Sequence, residues 1–181
     1  VAGIAGAVGN NGIGIAGAAW NVKLMHIKVF QSTGQGNSTN IAAGVEYANS
    51  NGATIINMSF GSYAESSTLK LTLETAYATA ILVAAAGNNG VILGPCQNNP
   101  PCKQFFPAAY NYVLGVQAWP PPPPYSLSGY TNFDPDGPIS TTHANLLNYE
   151  IIAPGTGIIS TIPNGGYGTL TGTSMSAPLV A

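Results

Sequence analysis

"TIINMSFGSYAESSTLKLTLETAYATAILVAAAGNNG" runs from residue 54 to residue 90, and its reading sets the fold. Residues 54–60 and 81–87 are short apolar runs, often β-branched, of the kind that forms buried strands. Between them, "SSTLKLTLETAYATA" (66–80) opens on serine and places Leu69, Leu73, Ala76 and Tyr77 on one helical face. A strand, a helix and a second strand in succession imply parallel pairing, with the helix packed on a sheet face. Strands that are apolar nearly throughout fit a sheet covered on both sides. Ligands of such sheets bind beyond the carboxyl ends of the strands, which here are "SFGS" (59–62) and "GNNG" (87–90).

The same pattern continues outward. "VKLMHIKVF" (22–30), "YVLGVQA" (112–118) and "YEIIAPG" (149–155) read as further buried strands. "STNIAAGVEYANSNG" (38–52) reads as a helix, with capping residues at its start, Gly52 at its end, and Ile41, Val45 and Ala48 at helical spacing. Residues 119–148 differ in composition. Five consecutive prolines cannot join a sheet ladder, and the stretch is expected to run over the surface.

Composition narrows the function. The chain has 181 residues, enough for one domain with a sizeable core. Only 6% of its residues are charged, and the net charge is −2. No basic patch is available for nucleic acid. No apolar run approaches the ~18 residues of a membrane span. Cys96 and Cys102 flank "QNNPP" and are expected to form a local disulfide, which implies an oxidising compartment; two separate thiols are the alternative. A glycosylation sequon at 37–39 adds little, because such triplets arise often by chance.

"GIGIAG" (12–17) matches a dinucleotide-binding pattern, but a strand follows it where a helix is required, so the match is taken as coincidence. His26 lies mid-strand and His143 in the polar stretch; the only aspartates, Asp134 and Asp136, lie in the turn sequence "DPDG". Nothing in the spacing supports a triad of His26, Asp134 and Ser174. "TGTSMSAP" (171–178) is more telling. A serine at a helix start sits among unpaired backbone N–H groups, which suits a nucleophile whose attack creates an oxyanion. Alone, the triplet reads better as a helix cap, a common use of Thr173 or Ser174.

Its neighbours decide the matter. "TGTSMSAP" closely resembles the nucleophile motif of the subtilisin-like serine proteases, the subtilases. "INMSFGS" (56–62) resembles their substrate-binding strand, "VAAAGNNG" (83–90) the segment ending in their oxyanion-hole asparagine, and "FFPAAY" (105–110) their Tyr-Pro turn, often cis. "IIAPGTGIIST" (151–161) resembles the strand before the serine loop. Residues 1–29 resemble the continuation of the histidine-bearing helix with the loop and strand that follow. The matches fall in family order along nearly the whole chain, with 119–148 as the main exception.

This resemblance implies a three-layer α/β/α fold with a mainly parallel sheet, truncated at both ends, in which residues 1–181 form part of a peptidase domain. It implies a serine endopeptidase that works through an acyl-enzyme on Ser174, with Asn88 in the oxyanion hole. Ser59, Phe60 and Gly61 would edge the substrate cleft, and Ala85, Ala86 and Gly87 would wall the pocket for the residue before the scissile bond. Phe105 would stand at a pocket-floor position that is usually small, and would shrink that pocket.

"VGNNGIGI" (8–15) resembles the family's calcium loop. Asn11 would offer a side-chain oxygen there, and Val8, Ile13 and Ile15 backbone carbonyls; an uncharged Gly-Asn turn is the alternative. No cofactor is implied for catalysis. The expected partners are polypeptide substrates, the expected state a monomer, and the expected location extracellular or periplasmic. The family's His-Gly-Thr-His motif immediately precedes Val-Ala-Gly, with which this chain opens. The triad histidine and aspartate are therefore expected upstream, in a longer reading frame, and the fragment alone is expected to be inactive. Two rivals remain. One is a pseudoprotease or binding domain on the same scaffold. The other is a sedolisin-type serine-carboxyl peptidase, against which Asn88 and the "VAGI" start argue.

Overall fold

The structure, a computed structural model, describes residues 1–91, 103–120, 128–133 and 151–181. Along the chain lie α1 (Ala2–Gly6), α2 (Ser38–Ser50), β1 (Ile55–Met58), α3 (Ser67–Tyr77), β2 (Ile81–Ala85) and β3 (Leu114–Trp119). They are followed by β4 (Ile151–Pro154), β5 (Ile158–Ile162), β6 (Gly166–Leu170) and α4 (Thr173–Val180). β1 to β4 form one sheet in the order β1-β2-β3-β4, every pair parallel. β5 and β6 form a separate antiparallel hairpin, turned by Pro163–Gly165, that leads the chain into α4.

The sheet is mostly apolar, with Asn57 and Gln117 as its polar members, because both of its faces are covered. Leu82, Ala84 and Ala86 join Ile41, Val45, Leu69 and Leu73 in a core on the α2 and α3 side. Val83 and Ala85 alternate to the opposite face and pack with Val116, Ala153 and Ala177, the last from α4. This is the period-2 alternation of a strand, buried in both directions. The three expected layers are thus present.

Helix starts follow local chemistry. Asn37 Oδ1 accepts the Asn40 N–H at 2.7 Å and caps α2; Ser66 Oγ accepts the Leu69 N–H at 3.3 Å and caps α3. Leu69, Leu73 and Ala76 are buried as their spacing predicts, but Tyr77 is 57% exposed and lies against the ring of Tyr112 instead.

Two expectations need correction. Residues 22–30 form no strand. Ile27 and Val29 pack on the core through their side chains, closing on Gly44 of α2. Among the described residues their backbone has no ladder partner, and a cavity of about 1180 Å³ is lined both by residues 22–27 and by the edge strand β1. The stretch 119–148 is also more than a surface excursion where it is described. Ser128, Thr131 and Asn132 are buried, and the Ser128 N–H donates to the Ala118 carbonyl at 2.9 Å. Its remaining part, with Asp134, Asp136 and His143, lies outside the described residues, as do Cys96 and Cys102 and their expected disulfide.

Candidate active site

The carboxyl ends of β1 and β2 face the amino end of α4. Each contributes a tight segment: residues 59–62 after β1, and residues 86–90 after β2. Gly172 brings the third segment into place. Its φ of +152° is open only to glycine, its N–H donates to the Gly155 carbonyl at 2.8 Å, and a Cβ there would lie 3.1 Å from Asn88 Nδ2. α4 then begins at Thr173 and carries Ser174 as its second residue. At that position the backbone N–H has no acceptor within the helix.

Asn88 is held from one side. The Thr173 N–H and the Thr173 hydroxyl both donate to Asn88 Oδ1, at 2.8 and 2.9 Å, and the Gly87 N–H donates to Thr173 Oγ1 at 3.1 Å. An amide whose oxygen is occupied by two donors has its orientation settled, so its NH₂ is the group left to donate. Ser174 is held equally well. Its Oγ donates to the Ser59 carbonyl at 3.0 Å, and Ser59 Oγ donates back to the Ser174 carbonyl at 3.0 Å. Asn57 Nδ2 in turn donates to Ser59 Oγ at 2.9 Å.

The second of these bonds also explains Pro178. It is the sixth residue of α4, beyond the first turn, where a proline ordinarily costs a helix a hydrogen bond. The carbonyl that Pro178 cannot satisfy is that of Ser174, four residues earlier, and the Ser59 hydroxyl satisfies it instead.

A cavity of about 410 Å³ opens beside these groups. Of the expected cleft residues, Phe60, Gly61, Ala85 and Gly87 line it, with Asn88 and Ser174. Ser59 and Ala86 do not: Ser59 supports Ser174 from beneath, and Ala86 is fully buried in the core. His26 lines the other, larger cavity, so the structure does not bring it to Ser174. The Phe106–Pro107 bond is cis, as expected.

The loop at 8–15 is closed at its base by hydrogen bonds from Gly17 to Ala7 and from Ala18 to Ile4. Asn11 Oδ1 accepts the Ile13 N–H at 3.0 Å within this loop, and Val8 and Ile13 are exposed. One engaged amide and three carbonyls fall short of the six to eight oxygens that calcium takes. These residues alone do not fit the ion.

Sequence reasoning missed Asn132. Its side chain is fully buried and makes four hydrogen bonds. Nδ2 donates to the Ala86 carbonyl at 2.9 Å and to Tyr63 Oη at 3.2 Å; Oδ1 accepts from the N–H groups of Asn89 at 3.0 Å and Val91 at 3.3 Å. The Asn132 N–H also donates to the Gly87 carbonyl, and a Cβ on Gly87 would collide with Nδ2. Asn132 therefore ties together the whole loop that bears Asn88. Nothing local marks it, since "YTNFD" is an ordinary polar sequence. Replacing Asn132 with alanine would take a partner from the buried Ala86 carbonyl and from the partly buried N–H groups of Asn89 and Val91, at about 1–3 kcal/mol for each group that stays shielded from water. We expect the full-length protein to lose about 3 kcal/mol in a urea titration. Unchanged stability would show that the loop is held by other means.

A serine at a helix start, an oriented amide beside it and a cleft between two strand ends form an arrangement suited to acyl transfer. The sequence model described as "Subtilase family" matches residues 1–181. The chain belongs to the subtilase family. Subtilases are serine proteases, and the relatives agree. The chain is 39% identical over 182 residues to subtilisin DY of Bacillus licheniformis, covering all of this chain and 59% of that protein. It is 36% identical over 173 residues to alkaline elastase YaB of Bacillus sp. (strain YaB), covering 95% of this chain and 39% of that protein. The solved structure of sphericase superposes with a TM-score of 0.83 at 33% identity, over 99% of this chain and 58% of that one. This chain thus spans about 39–59% of the length of these subtilases.

Proposed function

We propose that the protein containing these residues is a secreted serine endopeptidase that cleaves polypeptides through an acyl-enzyme on Ser174. The observation that carries this reading is the fixed orientation of Asn88. Both Thr173 donors occupy its oxygen, which leaves Nδ2 to donate toward a carbonyl placed at Ser174. In this reading Ser174 Oγ attacks the peptide carbonyl carbon, and the oxygen gains its negative charge between Asn88 Nδ2 and the Ser174 N–H. The C–N bond then breaks, the amine leaves with a proton, and water releases the acyl group and restores the hydroxyl.

The Ser174 proton needs a base. Among the described residues Ser174 Oγ donates to a backbone carbonyl, which cannot accept a proton at neutral pH. This reading assigns the base and its orienting carboxylate to the rest of the protein. It also assigns there the further ligands that a calcium ion on the loop at Val8, Asn11, Ile13 and Ile15 would need. An extracellular or periplasmic location and a monomeric state belong to the same proposal. Among the described residues no helix is long and apolar enough to cross a membrane.

The test compares the full-length protein with residues 1–181, each treated with a fluorophosphonate probe and a mixed peptide library. We expect labelling of Ser174 and cleavage by the full-length form only. A full-length form that binds peptides without labelling or cleaving them would favour the pseudoprotease reading. Comparable turnover by residues 1–181, abolished by His26→Ala or His143→Ala, would place the base inside this chain.

A further inference from the structure

The cavity beside Ser174 has two backbone walls, one at Gly61 after β1 and the other at Gly87 after β2. When a peptide carbonyl is bound at Ser174, the adjoining side chain on the acyl side lies one bond from the reacting carbon. It must enter the recess next to Ser174. Glycines on both walls would leave that recess wide enough for a flat ring, but a ring from the protein itself already stands there. A Cβ on Gly61 would collide with Cε1 of Phe105 and lie 2.8 Å from its Cδ1; a Cβ on Gly87 would lie 3.1 Å from the same Cδ1. One edge of the Phe105 ring therefore touches both walls.

The ring is firmly seated. Ser62 and Phe106 exchange two backbone hydrogen bonds of 2.8 Å, which fixes the chain on one side of Phe105 to the segment after β1. The Ala109 N–H donates to the Phe105 carbonyl at 2.9 Å. Tyr63 meets the ring edge-on at 5.0 Å, and its hydroxyl donates to Asn89 Oδ1 at 3.0 Å and accepts from Asn132 Nδ2 at 3.2 Å. Swinging the ring out of the recess would break its edge contact with Tyr63, and the backbone bonds keep the main chain of this segment from shifting with it.

We propose that Phe105 is a specificity-determining residue that restricts cleavage to bonds following a small side chain: glycine, alanine or serine. This rests on the serine endopeptidase reading above. A methyl or hydroxymethyl group fits beside the ring, whereas a phenyl, isobutyl or basic side chain would have to displace it. A pocket that discriminates by volume is worth about 10–200-fold for a single methylene. Several excess carbons should carry the preference for alanine over phenylalanine to about 100-fold or more in kcat/KM.

The test uses the full-length enzyme, active-site titrated with a fluorophosphonate, on two peptides that differ only in alanine or phenylalanine before the scissile bond. The expected result is the preference for alanine just given. Phe105→Ala and, as a gentler change, Phe105→Val should shift the ratio toward phenylalanine at least tenfold. Wild-type enzyme that cleaves after phenylalanine as fast as after alanine would overturn the inference while leaving the endopeptidase reading intact. A ratio unmoved in whichever variants fold would do the same. Absence of both cleavage and Ser174 labelling would instead overturn the endopeptidase reading, and this inference with it.

Discussion

Replacing Ser174 with alanine in the full-length protein should lower kcat by about 10⁶-fold while leaving KM within a few-fold of its original value. The magnitude is subtilisin's own. The physical ground here is that no other hydroxyl stands at the start of α4 facing the cleft. Thr173 is fully buried, and its hydroxyl is committed to Asn88 and Gly87. The fold should survive the change. The Ser59 hydroxyl still satisfies the Ser174 carbonyl, and only the bond from Ser174 Oγ to the Ser59 carbonyl is lost, worth about 1 kcal/mol. Steady-state kinetics and a urea titration on one preparation separate the two effects. A loss of less than tenfold would mean that the nucleophile lies elsewhere.

Asn88→Ala should cost about 10²–10³-fold in kcat with little change in KM, because in the proposed reaction the amide would donate to charge that exists only in the transition state. This range too is subtilisin's own. The structure adds a complication and a way around it. Asn88 also accepts two bonds from buried Thr173, so alanine strands two donors and should cost about 1–3 kcal/mol of stability as well. Asn88→Asp keeps the accepting oxygen and removes only the donor. It should fold almost as well as the parent, yet lose at least as much activity, since its negative charge faces a developing oxyanion. Equal losses of stability in the two variants would contradict the hydrogen-bond assignment. A kcat loss below threefold in Asn88→Ala would remove Asn88 from the oxyanion hole.

Much of this site is written locally. Gly-Thr-Ser before an apolar helix and a glycine–asparagine pair at the end of an apolar strand are short local motifs, and their resemblance to the subtilase motifs is what singles out Ser174 and Asn88. Strand–helix–strand periodicity over residues 54–90 sets a parallel sheet with both segments at one edge. Each of these signals spans a few residues, because backbone preference and the 2.0 and 3.6 periods of side-chain direction act at that range. The strand at 81–85 was legible in the same way, although which of its residues face α3 and which face α4 was not.

What tertiary structure decided lies at long range. "VKLMHIKVF" has the composition of a strand, but a strand exists only where another backbone lies alongside, and among the described residues none pairs with it. Pro178 is tolerated in the second turn of α4 because a hydroxyl 115 residues away from Ser174 satisfies the orphaned carbonyl. Asn132 holds the loop of Asn88 from a stretch that reads as surface, and Phe105 fills a recess formed by two glycines 26 residues apart. Strand and helix periodicity determined the α/β class, and the resemblance of several short motifs, in family order, singled out Ser174 and Asn88. The depth of the cleft and the support beneath both groups came from hydrogen bonds and ring contacts between distant segments, which no local pattern encodes.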